Sequence, residues 1–118
     1  MRPSESDRAH LWDMIDSARA VCGFIEGVGL DDYLKDRMRQ RAVEREVEII
    51  GEAARRVSDA FREAHPEIPW RVIIALRYVL AHEYGAIRQE RMWALATVRM
   101  RELIAVLEPL VPPPPSQE

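Results

Sequence analysis

Two stretches of the chain carry apolar residues at the same offsets. Leu11, Ile15, Ala18, Cys22 and Ile25 step by four, three, four and three, and Val43, Val47, Ile50, Ala54 and Val57 repeat those steps. Steps of three and four return side chains to one face of a helix, whereas a strand needs a period of two. Alternating β-branched runs and hairpin dipeptides are absent. The chain is therefore expected to bury seams between helices. At 118 residues it is long enough for one proper core and too short for two.

The first helix is expected to start near Ser6 or Asp7, either of which could cap it, and to end at Gly27 and Gly29. Residues 30–34 read as a turn or helical start, and a second long helix follows from about Asp36 to Val57. Residues 58–66 hold a cap and a short helix closed by His65-Pro66. Pro69 suits the first turn of a third long helix, Trp70 to about Tyr84, which is apolar on most sides. A helix apolar all round is a buried one, and the bundle alone is short of covering it, so a partner subunit is expected. The last helix runs from about Gln89 to Leu110, with Trp93, Ala96, Met100, Leu103, Leu107 and Leu110 inward. The architecture expected is all-α, an up-and-down bundle of four long helices plus one short helix. The helical domain is 7–110, between an N-terminal tail, 1–6, and a Pro-rich tail, 111–118.

Charge narrows the function. Lys and Arg number 17 against 20 Asp and Glu, a formal net charge of -3. That argues against a broad electrostatic grip on nucleic acid, which rests on neutralised phosphates. A local basic row remains: Arg37, Arg41 and Arg45 fall at i,i+4 steps and could track RNA, although a solvated stripe balanced by Glu44 and Glu48 is the favoured reading. Cys22 is the sole cysteine, a core candidate, and excludes a disulfide framework within the chain. His10, His65 and His82 are scattered without metal-ligand spacing, so no metal site is expected. Glu48 and Glu52 lack a Glu-x-x-His companion and read as a surface pair. No serine has a neighbouring His to activate it. Without a signal-type run or a membrane-length apolar stretch, the expectation is a soluble cytoplasmic protein with no membrane partner.

One segment carries chemistry. Arg77, His82 and Tyr84 stand at the end of the apolar third helix, just before Gly85, with Tyr78 and Glu83 adjacent to the first two. Five residues on an ideal helix separate Arg77 from His82 by about 140° and roughly 7.5 Å along the axis, a span suited to flanking a phosphate. The helix C-terminus favours the imidazolium, and Glu83 acts in the same direction. A cation and an imidazole beside one phosphodiester suffice for metal-free RNA cleavage, in which the ribose 2′-hydroxyl is the nucleophile. A two-fold axis would supply acid and base separately. Arg and His five apart also occur in many helices for structural reasons, so spacing alone leaves both readings open.

Three blocks together carry a resemblance. Arg45-Glu-Val-Glu-Ile-Ile-Gly-Glu-Ala53, Pro66-Glu-Ile-Pro-Trp70, and the Arg, four residues, His, any residue, Tyr pattern of Arg77 to Tyr84 resemble the HEPN superfamily, in particular its HepT-like ribonuclease toxins. The similarity spans about Asp7 to Leu110. It implies an all-α bundle that dimerises through the motif helix and a metal-independent endoribonuclease with Arg77 and His82 as catalytic residues. It also implies a toxin-antitoxin system in which a nucleotidyltransferase antitoxin of the MntA type transfers AMP from ATP to Tyr84; the chain itself needs no cofactor. The residue after the motif Arg is often Asn or another polar residue in HEPN nucleases and is Tyr78 here, which removes an amide that could orient the His or the phosphate. A non-catalytic HEPN dimer that is bound and modified by such a partner is the alternative.

Overall fold

The computed structural model describes residues 2–82 and 88–113, with Ala81 and His82 as backbone alone. Every regular element among them is helical, as expected. α1 spans Glu5–Ile25, α2 Leu30–Lys35, α3 Arg37–Arg56, α4 Asp59–Ala64 and α5 Trp70–His82. α6, Gln89–Ala94, continues through a π-helical turn, Leu95–Arg99, into α7, Met100–Leu107, and a 3-10 turn, Glu108–Leu110. α1, α3, α5 and the α6–α7 run are the four long helices, but there are two short ones, α2 and α4, where one was expected. Six residues are too few to hold α2 as a helix alone. It persists because Tyr33 is fully buried and because Asp31, Asp32 and Lys35 complement its dipole.

α1 lies on α3, α3 on α5, and α7 packs against α1. Leu11, Met14, Ile15 and Val21 meet Val43, Val47 and Ile50 in the shared seam, each completely or almost completely buried. A fully buried side chain of this kind stabilises the fold by roughly 1.5–3 kcal/mol. Val21 rather than Cys22 takes the inward seat, and Cys22 is half-buried beside it.

The helix ends show how local chemistry and packing cooperate. Ser4, not Ser6 or Asp7, caps α1, its Oγ accepting from the Asp7 N–H at 3.1 Å. Asp7 is buried instead and ties α1 to the start of α4. It accepts from the Ser58 N–H at 2.8 Å and from the Ser58 hydroxyl at 2.6 Å, while Ser58 Oγ caps α4 at Phe61. Gly27, with φ of 73°, turns the chain out of α1 in a conformation that costs other residues a Cβ clash. Asp36 caps α3 through the Arg39 N–H, and Arg39 donates onward to the Phe24 carbonyl at 2.6 Å.

As expected, the bundle alone covers α5 only in part. Trp70, Ile73 and Leu80 are inward, while Val72 is 63% exposed and Val79 also faces outward. Pro69 precedes α5 rather than opening it, its carbonyl accepting from the Ile73 N–H at 3.1 Å. In the last helical run Met92 takes the inward place expected of Trp93, which is half-buried. The π turn then widens the helix by part of a residue, so that Met92, Ala96 and Met100, four apart each time, stay on one face instead of drifting. Thr97 marks this turn, its hydroxyl donating to the Trp93 carbonyl at 2.8 Å. Val111 is buried and the Pro112 carbonyl accepts from Trp12 Nε1, so packing continues past residue 110.

Candidate functional site

Arg77 occupies an unusual seat. The inward stripe of α5 runs Trp70, Ile73, Leu80, and steps of three, four and three put Arg77 in the middle of it. An arginine there would hold α5 away from α3 unless the opposite surface gave way. It does so at Gly51, where a Cβ would stand 2.8 Å from the Arg77 Cβ and 3.0 Å from both the Arg77 nitrogen and the Ile73 oxygen. The missing side chain lets the two backbones approach.

With no room to enter the core, the Arg77 side chain reaches Glu52, the next residue of α3. Its Nε stands 2.5 Å from Glu52 Oε2. The other carboxylate oxygen, Oε1, accepts from Arg55 Nη2 at 2.8 Å and from Arg56 Nε at 3.0 Å. The hydrogen bond from Arg55 does most to hold the Glu52 carboxyl down at about 2; the bond from Arg56 and the charges of Arg55 and Arg77 act the same way, against partial burial. The i,i+4 spacing of Glu48 and Glu52 predicts no more than a surface pair. Glu52 is instead the anion around which three guanidinium groups gather.

Glu52, Arg56 and Arg77 stand at a cleft of about 350 Å³ between α1, α3 and α5. Arg45, Arg56 and Arg77 face Asp13, Glu48 and Glu52 there, and His10 contributes from α1. His10 and Gly51 escaped the sequence reading. His10 had no partner at a recognisable spacing, although the glycine in the middle of an otherwise strong helix was a signal that another backbone comes close. Among the described residues no cluster of three or more His, Cys, Asp or Glu could hold a metal ion.

His82 is the last residue of α5 and therefore lies on the same rigid element as Arg77. Glu83 and Tyr84 lie outside the described residues. Tyr78 is 59% exposed. Of the basic row, only Arg45 reaches the cleft. Arg41 and Arg37 lie about 6 and 12 Å back along α3. Arg41 is paired with Glu44 at 3.0 Å and Arg45 with Glu48 at 3.2 Å, which fits a charge-balanced stripe.

Beyond the motif, α6 is pinned at its first residue. Tyr33 donates to Gln89 Oε1 at 3.2 Å, and Gln89 Nε2 donates to Glu44 at 2.8 Å. Burial, aided by the Glu44 charge, pushes the Tyr33 phenol up to about 12. On another side of α5, Val72, Leu76, Leu95, Met100, Leu103 and Val106 line an apolar groove of about 500 Å³ running to α7. No described helix is long and apolar enough to cross a membrane.

The model of a family described as Ribonuclease HepT-like matches residues 14–110. A protein of Methanocaldococcus jannaschii described as a candidate RNase is 30% identical over 109 residues, 92% of this chain and 90% of its own length. Another from the same organism, described in the same way, is 35% identical over 88 residues, 75% of this chain and 81% of its own. A Thermococcus cleftensis protein described as a candidate ribonuclease HepT is 34% identical over 88 residues, 75% of this chain and 80% of its own. No solved structure matches at comparable stringency.

Proposed function

The chain belongs to the HepT-like ribonuclease family of the HEPN superfamily, and from that premise we propose that it is a metal-independent endoribonuclease acting through Arg77 and His82. The observation that carries this reading is Arg77 itself, a cation on the core stripe of α5, anchored beside a cleft on the helix that ends in His82. The ribose 2′-hydroxyl attacks the adjacent phosphorus and gives its proton to a His82 imidazole. The P–O5′ bond breaks, and the leaving oxygen takes a proton from the His82 of a second subunit. Arg77 stabilises the charge that builds on the phosphoryl oxygens. The products are a 2′,3′-cyclic phosphate and a 5′-hydroxyl.

The second subunit is another copy of this chain, docked along α5. The apolar groove and the exposed Val72 and Val79 support that face, since apolar surface of this extent on a folded domain marks an interface. Tyr84 is the acceptor of AMP from an MntA-like nucleotidyltransferase antitoxin that uses ATP. An adenylyl phosphate there would compete with the substrate phosphate, as a toxin under control requires. Tyr78 favours the alternative of a non-catalytic dimer that is only bound and modified, because it stands where a polar orienting residue is usual.

Three experiments test these steps. Wild type, Arg77→Ala and His82→Ala are incubated with RNA in EDTA, and cyclic-phosphate ends are scored; a wild type no faster than the variants overturns the nuclease. Intact mass after incubation with the partner and ATP should rise by one or more AMP units, and a gain that survives Tyr84→Phe moves the acceptor elsewhere. Light scattering should give a dimer that Val72→Glu dissociates.

A further inference from the structure

We propose that Glu52 is a positioning residue for Arg77, holding its guanidinium at the cleft while leaving the cluster net positive. The inference rests on the ribonuclease reading for its catalytic consequence, but its structural half stands alone. An arginine side chain has many rotamers, and a guanidinium that must be collected from solvent at each turnover costs the transition state that freedom. Gly51 fixes where the Arg77 Cβ lies, and Glu52 fixes where the other end of the side chain lies. The approach is through Nε. The outer nitrogens Nη1 and Nη2 carry four of the five guanidinium N–H donors, in the fork that matches phosphoryl oxygens.

A lone carboxylate beside Arg77 would anchor it but cancel its charge, and a neutral pair attracts no phosphate. Here the same carboxylate is shared with Arg55 and Arg56. Three cations share one anion, a surplus of two charges that Arg45, Asp13 and Glu48 at the same cleft reduce by one, so the anchor lowers the field without extinguishing it. The low carboxyl pKa keeps Glu52 ionised throughout the neutral range, so the anchor is constant where the imidazole titrates. A surface ion pair of α3 would need only Arg55 and Arg56, at helical spacing; contact with Arg77 on a different helix is what that bland role does not explain.

The test is Glu52→Gln, measured three ways. Cleavage kinetics should show kcat down about 10- to 100-fold, the usual penalty for a misplaced catalytic group, with KM for RNA unchanged or lower, since a negative charge has left the path of a polyanion. A loss confined to KM, or none at all, overturns the proposal. The Arg77 Nε–Hε NMR signal, assigned by its loss in Arg77→Lys, should move to the position of a solvent-exposed arginine. An unmoved signal also overturns the proposal, and this readout decides it even if the wild type cuts no RNA. Thermal melting separates positioning from stability, because a midpoint fall large enough to unfold the protein at assay temperature would lower the apparent enzyme concentration and leave KM untouched. If Glu52→Gln does not fold, Glu52→Asp keeps the charge and shortens the reach by one methylene; the same kcat loss and signal shift are expected, and wild-type values for both overturn the proposal.

Discussion

Replacing Gly51 by Ala should destabilise the protein although alanine is the better helix former. The added Cβ would lie 2.8 Å from the Arg77 Cβ and 3.0 Å from two backbone atoms of α5, the Arg77 nitrogen and the Ile73 oxygen. Backbone atoms cannot rotate aside, so α5 must move as a body. Overpacking of this kind costs about 1–3 kcal/mol, and exchanging Gly for Ala inside a helix returns roughly 0.5–1 kcal/mol. Taking the middle of each range, the net is a loss of about 1.25 kcal/mol, which for a domain of this size lowers Tm by about 5 °C. Gly23 is the internal control. It lies within α1 with nothing inside 4 Å of its Cβ position, so Gly23→Ala keeps the helix gain alone and should raise Tm. Scanning calorimetry of the two variants against wild type reads opposite signs from one chemical change. Gly51→Ala melting at or above wild type would refute the claim that α5 rests on a backbone contact at this glycine. Because a displaced α5 carries Arg77 away from Glu52, cleavage by Gly51→Ala should fall as well.

Other consequences are equally direct. Asp7→Ala leaves the Ser58 N–H and hydroxyl without their acceptor and should cost roughly 1–3 kcal/mol, seen as a lower urea midpoint at unchanged slope; an unshifted midpoint would show that Ser58 finds another partner. Tyr33→Phe removes the bond to Gln89 and should cost about 1 kcal/mol at neutral pH. The same variant should lose part of the alkaline instability: the folded phenol is raised to about 12, so its stabilisation is complete below pH 10 and disappears as pH rises to 12. On the acid side, the Glu52 carboxyl is depressed to about 2 and Asp36, held by the Arg39 N–H, is also lowered. Their stabilisation is present above the ordinary carboxylate range and fades as pH falls toward 2, so Tm should drop across that window and drop less in Glu52→Gln.

Most of the helical residues, and most of the faces that α1 and α3 bury, are legible in the sequence because both follow from local periodicity. The repeated offsets of Leu11 to Ile25 and Val43 to Val57 are a property of neighbours along the chain. So is the cap at the start of residues 58–66, and the motif of Arg77, His82 and Tyr84 marks the segment of interest without any fold. What periodicity cannot carry is which faces meet. Arg77 looked like one polar residue in an apolar helix; only the approach of α3 at Gly51 makes it a core-stripe arginine with nowhere to go but Glu52. Glu52 itself looked like half of a surface pair, because its two helical partners are visible in sequence and its third is 25 positions away. Asp7 has the side chain of a cap, but the fold brings Ser58, 51 positions away, to its carboxylate instead. Local order came from the spacing of side chains. The site came from two helices that touch at the one position where a side chain is missing.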